Sequence, residues 1–259
     1  MKRLTLCADD FAQSPAISAG ILRLVETRRL QAVSCLTESP HWKKDAHDLL
    51  AVAENCAIGL HFNLTLPFGQ TARRVSCVLG QALARAIPGD WVRRRFDAQW
   101  DAFVRATGRF PDFVDGHQHV HAFPVIREVV VERLHDFVPS CRVRSLRSPA
   151  ELREMPPKEH LLGRIARPLP RLIADAGLAT NRFFAGFRPY REGIDFGQTF
   201  RRWLAVCPDD TLIMCHPGLP ANDPSDPIAH CRSGEFDYLA SDAFLAETSE
   251  AGVSFAAAR

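Results

Sequence analysis

Short apolar runs recur along the chain, and each one stops at polar residues. RLTLCA at 3–8 ends at Asp9 and Asp10, after which Ser14 and Pro15 supply the N-cap and first-turn proline of a helix running to about residue 29. AVSCLT at 32–37 and AIGLHF at 57–62 read as the next two strands, separated by a helix at 42–53. Strand alternating with helix predicts parallel βαβ units rather than a sandwich.

An interruption follows. Residues 63–90 carry Pro67, Gly69, Gly80, Pro88 and Gly89 between weakly periodic pieces, which predicts a long excursion over one end of the domain, a lid. A helix at 91–106 then places Phe96, Trp100 and Phe103 about one turn apart, a stripe that belongs to core packing. Strands are expected at 112–117, 141–146 (CRVRSL), 181–185, 211–215 (TLIMC) and in the final VSFA. Helices are expected from Pro124 to 135 and at 171–176, 196–206 and 236–250, while 149–170 and 219–234 read as irregular, proline-bearing loops. Eight short strands interleaved with helices make an α/β fold, an irregular (β/α) TIM-like barrel, fully closed or not, and the absence of repeats or linker-like segments argues for a single domain over 1–259.

Composition narrows the function classes. A hydrophobic share of 46%, a charged share of 24% and a net charge of +2 are those of an ordinary soluble enzyme and point to neither a nucleic-acid nor a membrane partner. Arginine far outnumbers lysine, which leaves anionic or sugar ligands open. MKRLTLCADDF has no long apolar core or cleavage site, and no stretch reaches a membrane span, so a cytoplasmic location is expected. The eight cysteines stand singly in apolar surroundings, which predicts buried reduced thiols rather than disulfides or a zinc knuckle.

The candidate chemistry collects where apolar runs end. FVDGHQHVH at 113–121 carries His117, His119 and His121 at every second position, with Asp115 two residues before the first. If the strand continues, alternation puts these ligands on one edge of it, as a metal site requires. Asp9 and Asp10, His61 with Asn63, and His216 follow other strands, and in a parallel barrel all such ends open on one face. Adjacent aspartates alone read as a helix cap or turn. Placed with the histidines they divide naturally, one carboxylate binding a cation while its neighbour takes a proton.

Four stretches together resemble the YdjC-like, or ChbG/HpnK, carbohydrate deacetylases: ADDF at 8–11, IGLHFNLT at 58–65, DGHQHVHAFP at 115–124 and CHPG at 215–218. They come in the family's order and at its usual distances. The resemblance implies an irregular TIM-like barrel, often a homodimer, that removes acetyl from N-acetylated mono- or oligosaccharides with one divalent cation; by ligand chemistry Mg²⁺ with added water and Zn²⁺ both stay open. It makes Asp10, His61 and His117 the metal ligands, Asp9 the base, and His216 the acid or an oxyanion partner. Asp115 would orient His117, with His119 and His121 packing around the site or supporting it. One departure is Ala12, where the family usually has Gly. Two readings stay open beside this one: a metal-dependent hydrolase of a phosphoester or a different amide, and a non-catalytic carbohydrate-binding protein. The spare carboxylate of Asp9 counts against the second, because binding alone needs no base.

Overall fold

β1, Lys2–Phe11, is buried from Leu4 onward and is the strand on which the sheet is assembled. The computed structural model describes residues 1–54, 56–68, 73–138, 140–152 and 157–256. After β1, Ser14 caps α1 (Pro15–Glu26) by accepting from the Ile17 amide. β2 (Ala32–Cys35), α2 (Trp42–Val52) and β3 (Ala57–Phe62) follow as expected. Next come α3 (Val75–Leu83), α4 (Gly89–Thr107), β4 (Phe113–Gly116), α5 (Ile126–Phe137) and β5 (Arg142–Val143). The remainder is α6 (Pro157–Ala166), α7 (Leu169–Asp175), β6 (Phe183–Ala185), α8 (Phe196–Val206), β7 (Thr211–Cys215), α9 (Ala229–Ala240), α10 (Asp242–Glu250) and β8 (Val253–Phe255).

Among the described residues all strand pairings are parallel, in the order β5-β4-β3-β2-β1-β7-β6, with β8 against the start of β1. Helices cover the outside, so the central strands are apolar on both faces. Backbone bonding shows where the irregular barrel stays open. The carbonyls of Leu4 and Leu6 accept from Ala256 and Gln31, whereas that of Arg3 accepts from Asp210. Carbonyls alternate sides along a strand, so β8 lies on the β2 side of β1, and β7 packs directly on β1 where a regular barrel would insert strand eight. At the other end, β5 does not pair with β6; Val143 makes an isolated bridge with Thr180, in the segment before β6. The Asn181 side chain accepts from the Ser145 amide at 2.8 Å and donates to the Ser145 carbonyl at 3.0 Å, doing what a neighbouring strand would do. The result is one α/β unit whose parallel sheet forms a half-barrel, not a closed ring.

Other expectations need correction. The excursion at 63–90 contains α3, and the irregular 149–170 contains all of α6; residues 69–72 and 153–156 of these stretches lie outside the described residues. The helix expected at 236–250 is two helices, α9 and α10, separated at Ser241, which caps α10. The aromatic stripe of α4 is core as predicted: Phe96 stacks on Trp100 at 5.9 Å, and Trp100 meets Phe137 at 5.3 Å. All eight cysteines are free, but Cys77 is exposed and Cys231 half-buried, so burial holds for the other six. No helix among the described residues is long and apolar enough to cross a membrane.

Candidate active site

The C-terminal ends of β1, β3, β4 and β7 deliver Asp9 and Asp10, His61, Asp115 and His216. β3 and β4 are in register with His61 beside Asp115. Asp10 has a left-handed backbone, φ 66°, and Ala12 another at φ 71°. That bend breaks the strict alternation of the strand end, and the two adjacent carboxylates meet different partners.

Asp10 is divided between its two oxygens. Oδ2 accepts from Arg232 Nη2 at 2.8 Å, while Oδ1 faces His117 Nδ1 at 2.9 Å and His61 Nε2 at 3.4 Å. The donor atoms of Asp10, His61 and His117 all lie within 4.8 Å of one another. His61 is oriented from behind: its Nδ1 is 2.6 Å from Asp115 Oδ1, which also accepts from Ser34 Oγ at 2.5 Å. A carboxylate behind one ring nitrogen leaves the other as the donor. One carboxylate oxygen and two imidazole nitrogens directed at a common point fit a divalent cation that keeps open positions. Burial opposes ionisation of Asp10, yet Arg232 and His117 outweigh it and hold the carboxyl well below the usual range. Burial also opposes charge on His61, but Asp115 and Asp10 raise its pKa to about 10.

Asp9 belongs to a second cluster, with Cys7 and Asp115, whose donor atoms are equally close together. Here a guanidinium already fills the space. Arg144 gives Nη1 to Asp9 Oδ2 at 2.7 Å and Nη2 to Asp9 Oδ1 at 2.9 Å, and Nη2 also lies 2.5 Å from Asp115 Oδ2. The same nitrogen is 2.8 Å from Cys7 Sγ, and burial pushes that thiol well above its ordinary pKa, so it stays protonated. Arg144 is only 2% exposed. A charge so deeply placed is sustained by these anions.

His216 follows β7. Its backbone amide donates to Glu235 Oε2 at 2.5 Å, and its Nδ1 lies 2.9 Å from the Tyr190 hydroxyl. Burial lowers the His216 pKa to about 4, against the pull of Asp10 and Asp9, so the ring is a neutral imidazole at neutral pH.

The three alternating histidines do not share an edge. β4 ends at Gly116, and His117–Ala122 form a 3-10 turn with left-handed residues at Gln118 and His119. A Cβ on Gly116 would stand 2.9 Å from the His121 amide, so the close reversal needs glycine. Only His117 reaches Asp10. His119 packs edge-on against Phe184 and Phe187, with ring centroids at 5.9 and 5.2 Å. His121 is fully buried with Nε2 3.0 Å from the Arg144 carbonyl. Asp115 orients His61, not His117 as expected. Asn63 also departs from the site: its side chain accepts from the Thr65 and Leu66 amides and shapes the loop after β3.

Sequence reasoning missed Arg144, Arg232, Ser34, Tyr190 and Glu235. An arginine inside the apolar run CRVRSL was a signal, since a charge in a buried strand needs a buried counter-charge. Arg232 sits in the stretch 219–234 that reads as a loop, and Tyr190 lies between the expected strand at 181–185 and helix at 196–206; neither gave a signal.

A family model described as YdjC-like protein matches residues 3–250, nearly the whole chain. The chain belongs to the YdjC-like family. A mouse protein named carbohydrate deacetylase is 33% identical to this YdjC-like chain over 166 residues, 58% of this chain and 51% of that protein. The human protein of the same name is 32% identical over 164 residues, 58% of this chain and 49% of that protein. The chain thus spans about half the length of these relatives. A chitooligosaccharide deacetylase of Yersinia enterocolitica is 29% identical over 231 residues, 83% of this chain and 81% of that one. Among solved structures, one from Enterococcus faecalis V583 described as a cellobiose-phosphate cleavage protein covers 99% of this chain and 97% of its own, with a TM-score of 0.71 at 19% identity. The Xyl-CE4 domain of a xylanase from the Trinervitermes trinervoides hindgut metagenome covers 99% of this chain and 87% of its own, with a TM-score of 0.53 at 8% identity. These structural likenesses establish a shared fold.

Proposed function

We propose that this YdjC-like protein is a metal-dependent carbohydrate deacetylase that hydrolyses the acetamide of N-acetylated sugars of the chitooligosaccharide kind to amine and acetate. The observation that carries the reading is the convergence of Asp10 Oδ1, His61 and His117 next to a second carboxylate, Asp9, that stays out of that group. The names of the curated relatives supply the substrate class. Asp10, His61 and His117 hold one divalent cation: two imidazoles suit Zn²⁺, and Mg²⁺ with water supplying the remaining oxygens suits the set equally. When bound, such a cation polarises a carbonyl and acidifies water beside it.

The protein's own groups do the rest. Asp9 takes the proton of the attacking water, its carboxylate held in one orientation by the Arg144 fork. Arg232 fixes Asp10 so that Oδ1 stays directed at the two histidines. His216 completes the set, as proton donor to the leaving amine or as a donor to the oxyanion. Pairing of two chains in solution belongs to the same proposal, and light scattering at a single peak tests it.

Acetate release from N,N′-diacetylchitobiose decides the matter, measured with chelator and again after Mg²⁺ or Zn²⁺ is restored. The reading predicts release that chelator abolishes and one metal restores. Release unaffected by chelator, or phosphate release from sugar phosphates in its place, contradicts it.

A further inference from the structure

His61 and His216 stand in one site with opposite partners behind them. Behind His61 is a carboxylate, Asp115. Behind His216 is a phenol, with Tyr190 Oη 2.9 Å from Nδ1 and the two rings edge to face at 5.4 Å. Tyr190 is itself held: the Arg188 guanidinium lies over its ring at 4.6 Å. Arg188 is ion-paired to Glu235 Oε1 at 2.5 Å, and the other oxygen of Glu235 accepts the His216 amide. One buried carboxylate on α9 therefore fixes the backbone of His216 directly and, through Arg188, the ring that faces its side chain.

We propose that Tyr190 is a positioning residue that donates its hydroxyl proton to Nδ1 of His216 and so fixes the tautomer with the proton on Nε2. His216 is then a neutral hydrogen-bond donor to the oxyanion, and Asp9 carries the proton for both halves of the reaction. This rests on the deacetylase reading and assigns the role that reading leaves divided. Two observations support the direction of the bond. The Tyr190 hydroxyl has His216 Nδ1 as its hydrogen-bond partner, and burial followed by Glu235 keeps the phenol protonated, so it has a proton to give.

The chemistry balances without a proton from His216. As the water oxygen bonds to the acetyl carbon, its proton passes to Asp9. As the C–N bond breaks, that proton moves from Asp9 to the sugar nitrogen, giving amine and acetic acid, which loses its remaining proton to solvent as acetate, and returning Asp9 to its carboxylate form. A neutral imidazole could protonate the amine only by becoming an anion, a far more costly species than a carboxylic acid. What His216 contributes is a fixed N–H, the kind of donor whose loss lowers turnover without weakening substrate binding.

Nitrogen-15 NMR of histidine in the wild-type protein at pH 7, with His216 assigned by its loss in His216→Gln, reads the tautomer independently of turnover. The expected result is a neutral ring protonated on Nε2, changing to a mixture of tautomers in Tyr190→Phe, which keeps the ring under Arg188. In the same variant kcat falls ~10–100-fold with KM within twofold. An imidazolium or an Nδ1–H ring in the wild type overturns the proposal, as does a Tyr190→Phe enzyme with unchanged kcat or a change confined to KM. Because the spectra need no substrate, an Nε2–H ring in a protein that releases no acetate would sink the deacetylase reading and leave the tautomer assignment standing.

Discussion

Two clusters of three ligand-type side chains lie side by side in this protein, and they differ in the cation each is built to take. Cys7, Asp9 and Asp115 enclose Arg144, a cation that is part of the chain and cannot leave. Asp10, His61 and His117 meet the same proximity test, but Arg232 reaches only the far oxygen of Asp10 and leaves Oδ1 directed at the two imidazoles. Asp9 and Asp10 are neighbours in sequence, so the distinction is made by the left-handed turn at Asp10 and by which strand supplies the facing residues. Donor types in proximity do not define a metal site; the test is whether a protein cation already neutralises them.

The most forceful way to break the comparison is to remove the resident cation. Arg144→Met leaves Asp9 and Asp115 buried without it, and the expected loss is about 3–5 kcal/mol by denaturant unfolding. A loss below ~1 kcal/mol would mean that the cluster does not depend on the guanidinium. A finer probe is Ser34→Ala, which deletes the hydroxyl donating to Asp115 behind His61. Divalent-metal affinity should fall ~10-fold by calorimetry with folding largely intact, the scale usual for outer hydrogen bonds to a ligand. Unchanged affinity would show that Asp115 orients His61 unaided. The smallest effect concerns the bend itself. Ala12 carries φ 71° where the family usually has glycine, so Ala12→Gly should stabilise by about 0.5–1 kcal/mol, the strain relieved exceeding the added entropy of the unfolded chain. A lower melting temperature in that variant would place the strain elsewhere.

Much of this was legible from residues alone, where pattern and structure share a cause. β1, β2, β3 and β7 are apolar runs that meet polar residues at their C-terminal ends, and Asp10, His61 and His216, at three of those ends, belong to the candidate site. HQHVH was not legible, because alternation looks the same in a strand as in a 3-10 turn that follows a glycine; left-handed residues at Gln118 and His119 send two of the three histidines away from Asp10. Barrel closure was not legible either. β5 is two residues long because Ser145 bonds to the Asn181 side chain instead of to a strand, and no local pattern announces a partner 36 residues away. Arg144 gave a signal in its apolar run, but its three anionic or thiol partners come from two other strands.

The sharpest test of the division between the two aspartates is a metal titration by calorimetry on Asp9→Asn and Asp10→Asn, run beside acetate release from N,N′-diacetylchitobiose. The account predicts that Asp9→Asn binds about one equivalent of metal and loses turnover by ~10²–10⁴-fold, whereas Asp10→Asn binds almost none. Metal lost from Asp9→Asn and retained by Asp10→Asn, or full turnover in Asp9→Asn, contradicts it.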